Sequence, residues 1–183
     1  MSAPGRLPRI EHRRVAADHY WPGRGRRKTK IVVHNSVGTD SDDWLSTTSH
    51  PPVSAHVLGR RDGSRLNLVD YADIAFHVGN AKAGYWNSNC LGYELESTND
   101  VGRSGNGYTG AQYNTLAHCV ATWLYSYGLD FDRDVVSHAS IAVPVGRRHD
   151  PWELDWGRFR RGTQAWLAFF RTLGPGEEQC WIC

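Results

Sequence analysis

No stretch of the 183-residue sequence approaches the ~20 consecutive apolar residues of a membrane-spanning helix. The amino terminus is basic but lacks the apolar segment of about 7–15 residues that marks a secretory signal. The chain is therefore expected to be made in the cytoplasm without export by that route. Cysteine is scarce, with four residues. Cys90 and Cys119 lie in apolar segments and read as buried thiols. Cys180 and Cys183 form a lone C-x-x-C at the carboxyl end, at most half of a four-cysteine zinc site and without the strand–helix setting of a redox motif. Internal repeats are absent. The net charge is only +2, which excludes a polycation, but its distribution is uneven. Residues 1–30 carry nine Lys or Arg against Glu11 and Asp18 alone. The plain reading of 1–29, with Pro4, Pro8 and Pro22, is an irregular, solvated leader. The sharper one is an electrostatic arm for an anionic cell-envelope polymer or a nucleic acid.

What the sequence does contain fits one domain with a real core, at 40% apolar residues and eight Trp. Residues 30–34 run through Ile31, Val32 and Val33 into His34. An apolar run without alternation predicts a strand buried on both faces, at whose carboxyl end α/β proteins place ligands. Ser41 to Leu45 reads as a capped short helix. Residues 54–60 and 65–69 flank Asp62-Gly63, a hairpin signal. Residues 70–90 read as loop. Cys90 to Glu96 alternates as a strand that places Glu94 and Glu96 on one face. Thr109 and Gln112 match a capping box opening a helix that Gly128 ends. A second short strand, 135–138, ends in His138. A last helix is expected from about Asp155 to Leu173, with Trp156, Phe159, Thr163, Trp166, Leu167 and Phe170 inward and Gly174-Pro175 as its stop.

Two strands thus end in histidine, a third offers Glu94, and a loop offers Arg147-Arg148-His149-Asp150-Pro151. For any single histidine a structural or surface role is the default, and spacing alone does not make these a metal site. The joint pattern says more. The segments I-V-V-H-N-S, S-A-H-V-L-G-R-R-D-G, D-I-A-F-H-V-G, N-S-N-C-L-G-Y-E-L-E, Y-T-G-A-Q-Y and V-V-S-H-A-S-I-A…R-R-H-D-P occur in this order. Over roughly residues 30–172 the chain resembles the type 2 N-acetylmuramoyl-L-alanine amidases. These include phage lysozymes of the T7 type, the cytosolic amidase of cell-wall recycling, and the animal peptidoglycan recognition proteins.

The resemblance implies an α/β fold with a central mixed sheet flanked by helices. It implies a catalytic domain over 30–174 and a tail over 175–183. It implies zinc held by His34, His138 and Asp150, with His149 a competitor for the last place, and one coordination position left for water. It implies Glu94 as the proton-transferring carboxylate, with Glu96 second, and Arg148 where the family has an oxyanion-stabilising lysine. His77 and Asn87 are expected to touch substrate, and His56 to be structural or to line the groove. Two departures are noted: Ala55 where phage members often have tyrosine, and Ser140 where aspartate is usual. The expected partner is peptidoglycan. The expected function is hydrolysis of the muramoyl–L-alanine amide, as a bacteriolytic phage or prophage endolysin acting on the wall after holin-type release. The alternatives are a cytosolic recycling amidase acting on anhydro-muropeptides, or a non-catalytic peptidoglycan-binding module.

Overall fold

The computed structural model describes residues 3–23, 26–100 and 105–173. The apolar run forms β3 (Lys30–Asn35) and the acidic strand forms β7 (Cys90–Leu95), buried along its whole length. They pair in parallel, residue against residue, so that His34 lies beside Glu94. β8 (Val135–Ser137) pairs in parallel with the other edge of β3. On the far side, β4 (Val57–Gly59) pairs in parallel with β7 and antiparallel with β5 (Arg65–Asn67). The hairpin expected around Asp62-Gly63 is present. Gly63 takes a positive φ of 86°, which glycine adopts without steric cost, and Asp62 Oδ1 accepts from Ser64 N–H at 2.8 Å.

The segment read as an irregular leader holds two strands. β1 (Ile10–His12) is the edge of the six-stranded sheet, parallel to β5, and gives the order β1-β5-β4-β7-β3-β8. β2 (Tyr20–Trp21) pairs antiparallel with β6 (Ile74–Ala75), inside the stretch expected to be loop. Strands of two or three residues carry no readable period, and their partners lie more than 50 residues away. Part of the basic excess is also used within the fold. Arg9 pairs with Glu11, Arg13 with Asp43, and Lys28 is buried with its Nζ donating to Asp73 O. Ser41 to Leu45 leads into one π-type turn over Trp44–Thr48, with no side-chain cap from Asp43.

Period-two alternation sends Ile31, Val33, Leu91, Tyr93 and Leu95 to one face of the sheet. There they pack under α1 (Gly110–Tyr127) and α4 (Trp156–Phe170). The Thr109–Gln112 capping box closes reciprocally, and Gly128 ends α1 with φ 66°. Asp155 caps α4 through Arg158 N–H. Every residue expected inward on α4 is buried except half-buried Trp156, which packs on the same cluster. The Gly174-Pro175 stop and the Cys180/Cys183 pair lie outside the described residues. The opposite face is covered by loops and short turns, around Val32, Val78, Cys90 and Ile141 and around Leu45, Leu58 and Leu66. This face receives His34 and Glu94. A one-turn helix, α2 (Phe131–Asp134), leads into β8.

Lys30 on β3 is tied to buried Asp134 of α2 by an ion pair of 2.8 Å. Burial alone would raise the Asp134 carboxyl. Arg133, the Asp130 amide and Lys30 outweigh it and hold it well below the usual carboxylate range. A depressed folded-state pKa stabilises the fold above the unfolded value of about 3.9, and that contribution is lost as pH falls. Urea midpoints are expected to drop more steeply between pH 5 and 3 for the parent than for Asp134→Asn, which is less stable at pH 7. Parallel profiles would count against this.

Candidate active site

Three ligand atoms meet at the carboxyl ends of β3 and β8. His34 Nδ1 lies 3.0 Å from His138 Nδ1 and 3.2 Å from Asp150 Oδ2, and His138 Nδ1 lies 3.1 Å from that oxygen. Local structure explains the convergence. His34 is the penultimate residue of β3. Ser137, the last residue of β8, accepts from Ser140 N–H and so starts the single turn α3 (His138–Ile141) at His138. The Ala139 amide then donates to Asp150 O at 2.9 Å, which folds the following loop back onto the turn. Ser140, noted as a departure, is spent on this cap and on Lys82, whose Nζ donates to its carbonyl.

The other ring nitrogens fix the tautomers. His138 Nε2–H donates to Val78 O at 3.1 Å, which leaves its Nδ1 bare. His77 Nε2–H donates to Cys90 O at 3.4 Å, so its Nδ1 accepts from His34 Nε2–H at 3.0 Å and leaves His34 Nδ1 bare as well. Burial, with the neighbouring imidazoles, lowers His77 well below its ordinary value and His34 to about 4, so both rings are neutral. Two bare nitrogens and a carboxylate oxygen therefore face one another, a donor set that repels itself unless a cation lies between. The separations come near the edges of about 3.3–3.4 Å of a tetrahedron built on Zn–N bonds of about 2.0–2.1 Å. The residues present fit zinc. Among the described residues this is the one such group of three.

Glu94 lies beside His34 in the pairing and is buried, with Oε2 unpartnered. Burial, with some help from Asp150 and against Arg148, raises its carboxyl to about 8. Glu94 and Arg148 line the same cavity of about 140 Å³ as the triad. Its outer wall is Val37, Trp44 and Phe76, which the sequence reading did not single out. A larger cavity of about 590 Å³ lies between Arg6–Arg9 and α1, but no histidine, cysteine or glutamate lines it, so chemistry favours the smaller one.

The other expected site residues separate. Glu96 lies outside this cavity, and its Oε2 accepts from Arg61 N–H at 3.2 Å, an ordinary structural bond. His149 is exposed and not among the converging ligands. His56 is fully buried; its Nδ1 accepts from Gly92 N–H and its Nε2 reaches Asp73 O, the structural role weighed for it. His77, expected to touch substrate, lines the cavity, and both it and Asn87, the other residue so expected, are engaged within the protein. Both nitrogens of His77 are committed to His34 and Cys90. Asn87 does not line the cavity, and its Oδ1 accepts from the amides of His77 at 3.1 Å and Val78 at 2.8 Å. It thereby holds the loop that supplies both partners of the ligand histidines. Such contacts were hidden because they join three segments distant in sequence.

Gly92 makes room for this support. A Cβ there would sit 2.6 Å from His77 Cγ. Gly92→Ala is expected to push His77 away, costing about 1–3 kcal/mol of stability and about 10–100-fold in metal affinity. Competitive chelator titration and urea unfolding check both; unchanged affinity would show that His77 does not position His34.

A parallel-centred sheet with a two-histidine, one-carboxylate triad at its strand ends and a buried carboxyl alongside defines a hydrolase built for a metal ion. The chain belongs to a particular family of these. Residues 24–153 match the N-acetylmuramoyl-L-alanine amidase family, Amidase_2. The 1,6-anhydro-N-acetylmuramyl-L-alanine amidase AmpD of Salmonella typhimurium is 30% identical over 82% of this chain and 89% of its own. The crystal structure of a selenomethionine AmpD derivative superposes with a TM-score of 0.67 at 29% identity, covering 83% of this chain and 94% of that one. AmpDh3 of Pseudomonas aeruginosa, solved in complex with anhydromuramic pentapeptide, gives 0.64 at 25% identity over 75% of this chain and 60% of that one. The protein is an N-acetylmuramoyl-L-alanine amidase acting on peptidoglycan. Among the described residues no helix is long and apolar enough to cross a membrane.

Proposed function

We propose that the chain is a zinc amidase of soluble anhydro-muropeptides, cleaving the amide between the lactyl carbonyl of the muramyl sugar and L-alanine. The observation that carries this reading is the triangle of bare His34, His138 and Asp150 atoms beside the orphaned Glu94 carboxyl. When bound there, zinc supplies a Lewis acid for the scissile carbonyl and acidifies a water. His34, His138 and Asp150 hold it. In its ionised form, which the charge of a cation held by the triad would favour, Glu94 takes the proton of the attacking water at its unpartnered oxygen and returns it to the leaving amine. Its desolvated site favours the protonated form between these steps. Arg148 faces the developing negative charge on the carbonyl oxygen, and as a guanidinium it does so without proton transfer.

The fragment substrate, in place of intact wall, is supported by the names of the curated relatives, all anhydro-muropeptide amidases. The endolysin setting and release by a holin have no such support and stand as the second reading. The basic side chains Arg6, Arg14, Arg26 and Arg27 remain exposed for an anionic partner if that setting applies. Release of L-alanine amino termini should be followed from anhydro-muramyl peptides and from intact sacculi, with zinc. Turnover is expected on the fragments and to be much slower on sacculi. The reverse preference supports the endolysin, and no release from either substrate leaves only a binding module.

A further inference from the structure

A second cluster lies on the helix-covered face of the sheet, away from the zinc triad. Alternation along β5 sends Arg65 and Asn67 inward, opposite Leu66. Arg65 is 1% exposed, and its Nε and Nη1 have no hydrogen-bond partner. Around it stand Cys119, Tyr71 and Tyr93. The Tyr93 hydroxyl is also buried without a partner, while the Tyr71 hydroxyl has only the Trp123 indole and the Cys119 thiol beside it, outside the range of a well-formed hydrogen bond. The rings adjoin, with Tyr71 to Trp123 centroids 5.4 Å apart and Tyr93 to Trp123 6.2 Å apart. Gly59, the register partner of Arg65, leaves the space that the Tyr93 hydroxyl uses.

A guanidinium buried without a counter-charge is among the costliest groups a core can hold, and it does not deprotonate. No carboxylate is among the groups acting on Arg65. Burial pushes the Cys119 thiol up to about 11, so it supplies no negative charge at neutral pH. The unmet atoms on Arg65 and Trp123 are donors, and the two tyrosine hydroxyls can donate as well as accept; Asn67 Oδ1, the one pure acceptor, becomes a donor if the amide is reversed about χ2. Water alone balances donors with acceptors but not the charge. Asn67 and Tyr71 also line a neighbouring open cavity of about 390 Å³, together with His12, Arg13, Arg14 and Asp70.

We propose that Arg65, Tyr71, Tyr93 and Trp123 form a buried site for a small monovalent anion of the halide class, which completes the core beneath α1. The site is structural and independent of the reaction. Chloride replacing gluconate at constant ionic strength should raise the thermal midpoint of the whole protein saturably, by about 5 °C or more at a hundredfold excess over Kd. Arg65→Met, which keeps the volume and removes the charge, should lose the dependence. Crystals of the parent soaked in bromide should show an anomalous peak within hydrogen-bonding reach of Arg65, a result that stands even if Arg65→Met fails to fold. A midpoint identical in chloride and gluconate, or only water at that position in bromide-soaked crystals, overturns the proposal.

Discussion

Glu94→Gln is expected to lower kcat on an anhydro-muropeptide by about 10²–10⁴-fold, with zinc content and thermal midpoint unchanged. Glutamine has nearly the shape of the acid but neither accepts nor delivers a proton. The buried carboxyl has no other task in the fold: Oε2 has no partner, and burial raises its pKa to about 8. Its removal should therefore be nearly silent in stability. A loss confined to KM would mean that Glu94 binds substrate without moving a proton. Full activity would remove it from the mechanism and return attention to Glu96, which the structure engages with the Arg61 amide.

The second large effect concerns the metal. Chelation, or His138→Ala, is expected to reduce turnover by about 10³-fold or more, on the order of 4 kcal/mol of barrier. In the parent, activity should return on adding zinc. In His138→Ala it should not, because one bare nitrogen of the triangle is gone while Val78 O loses its donor. Chelation should also lower the thermal midpoint, since a metal held by residues from a strand end, a helical turn and a loop binds only the folded chain. Assay, metal analysis and unfolding scans on the same preparation separate these outcomes. Equal turnover with and without chelator would dismantle the metal-based reading of the site while leaving the fold intact.

The amidase resemblance and the supporting contacts reached the same residues by different routes. His34, Glu94, His138 and Asp150 were legible because each sits in a short segment that matches the amidase family in order: an apolar run into histidine, an alternating acidic strand, a second short strand ending in histidine, and an Arg-Arg-His-Asp-Pro loop. The supporting contacts of His77, Asn87 and Gly92 were missed. Their roles consist in contacts across three chain segments, and nothing within any one segment records which neighbour a side chain will meet. The amino-terminal strands β1 and β2 were missed for a related reason: a three-residue strand is defined by its partner, and the partner of β1 is 55 residues away.

The resemblance to the amidase family supplied the expected ligands, while the amino-acid order by itself determined the central strands, the two long helices and the buried thiols. Those features depend on local propensity and on periodicity within one element, which adjacent residues encode. Only the tertiary structure decided that the amino-terminal segment completes the sheet, that His77 and Asn87 brace the ligand histidines, and that Arg65 ends up buried without a counter-charge. Each of these depends on burial and on the company of distant residues. The energy of a polar group depends on what surrounds it after folding, and that is a property of packing.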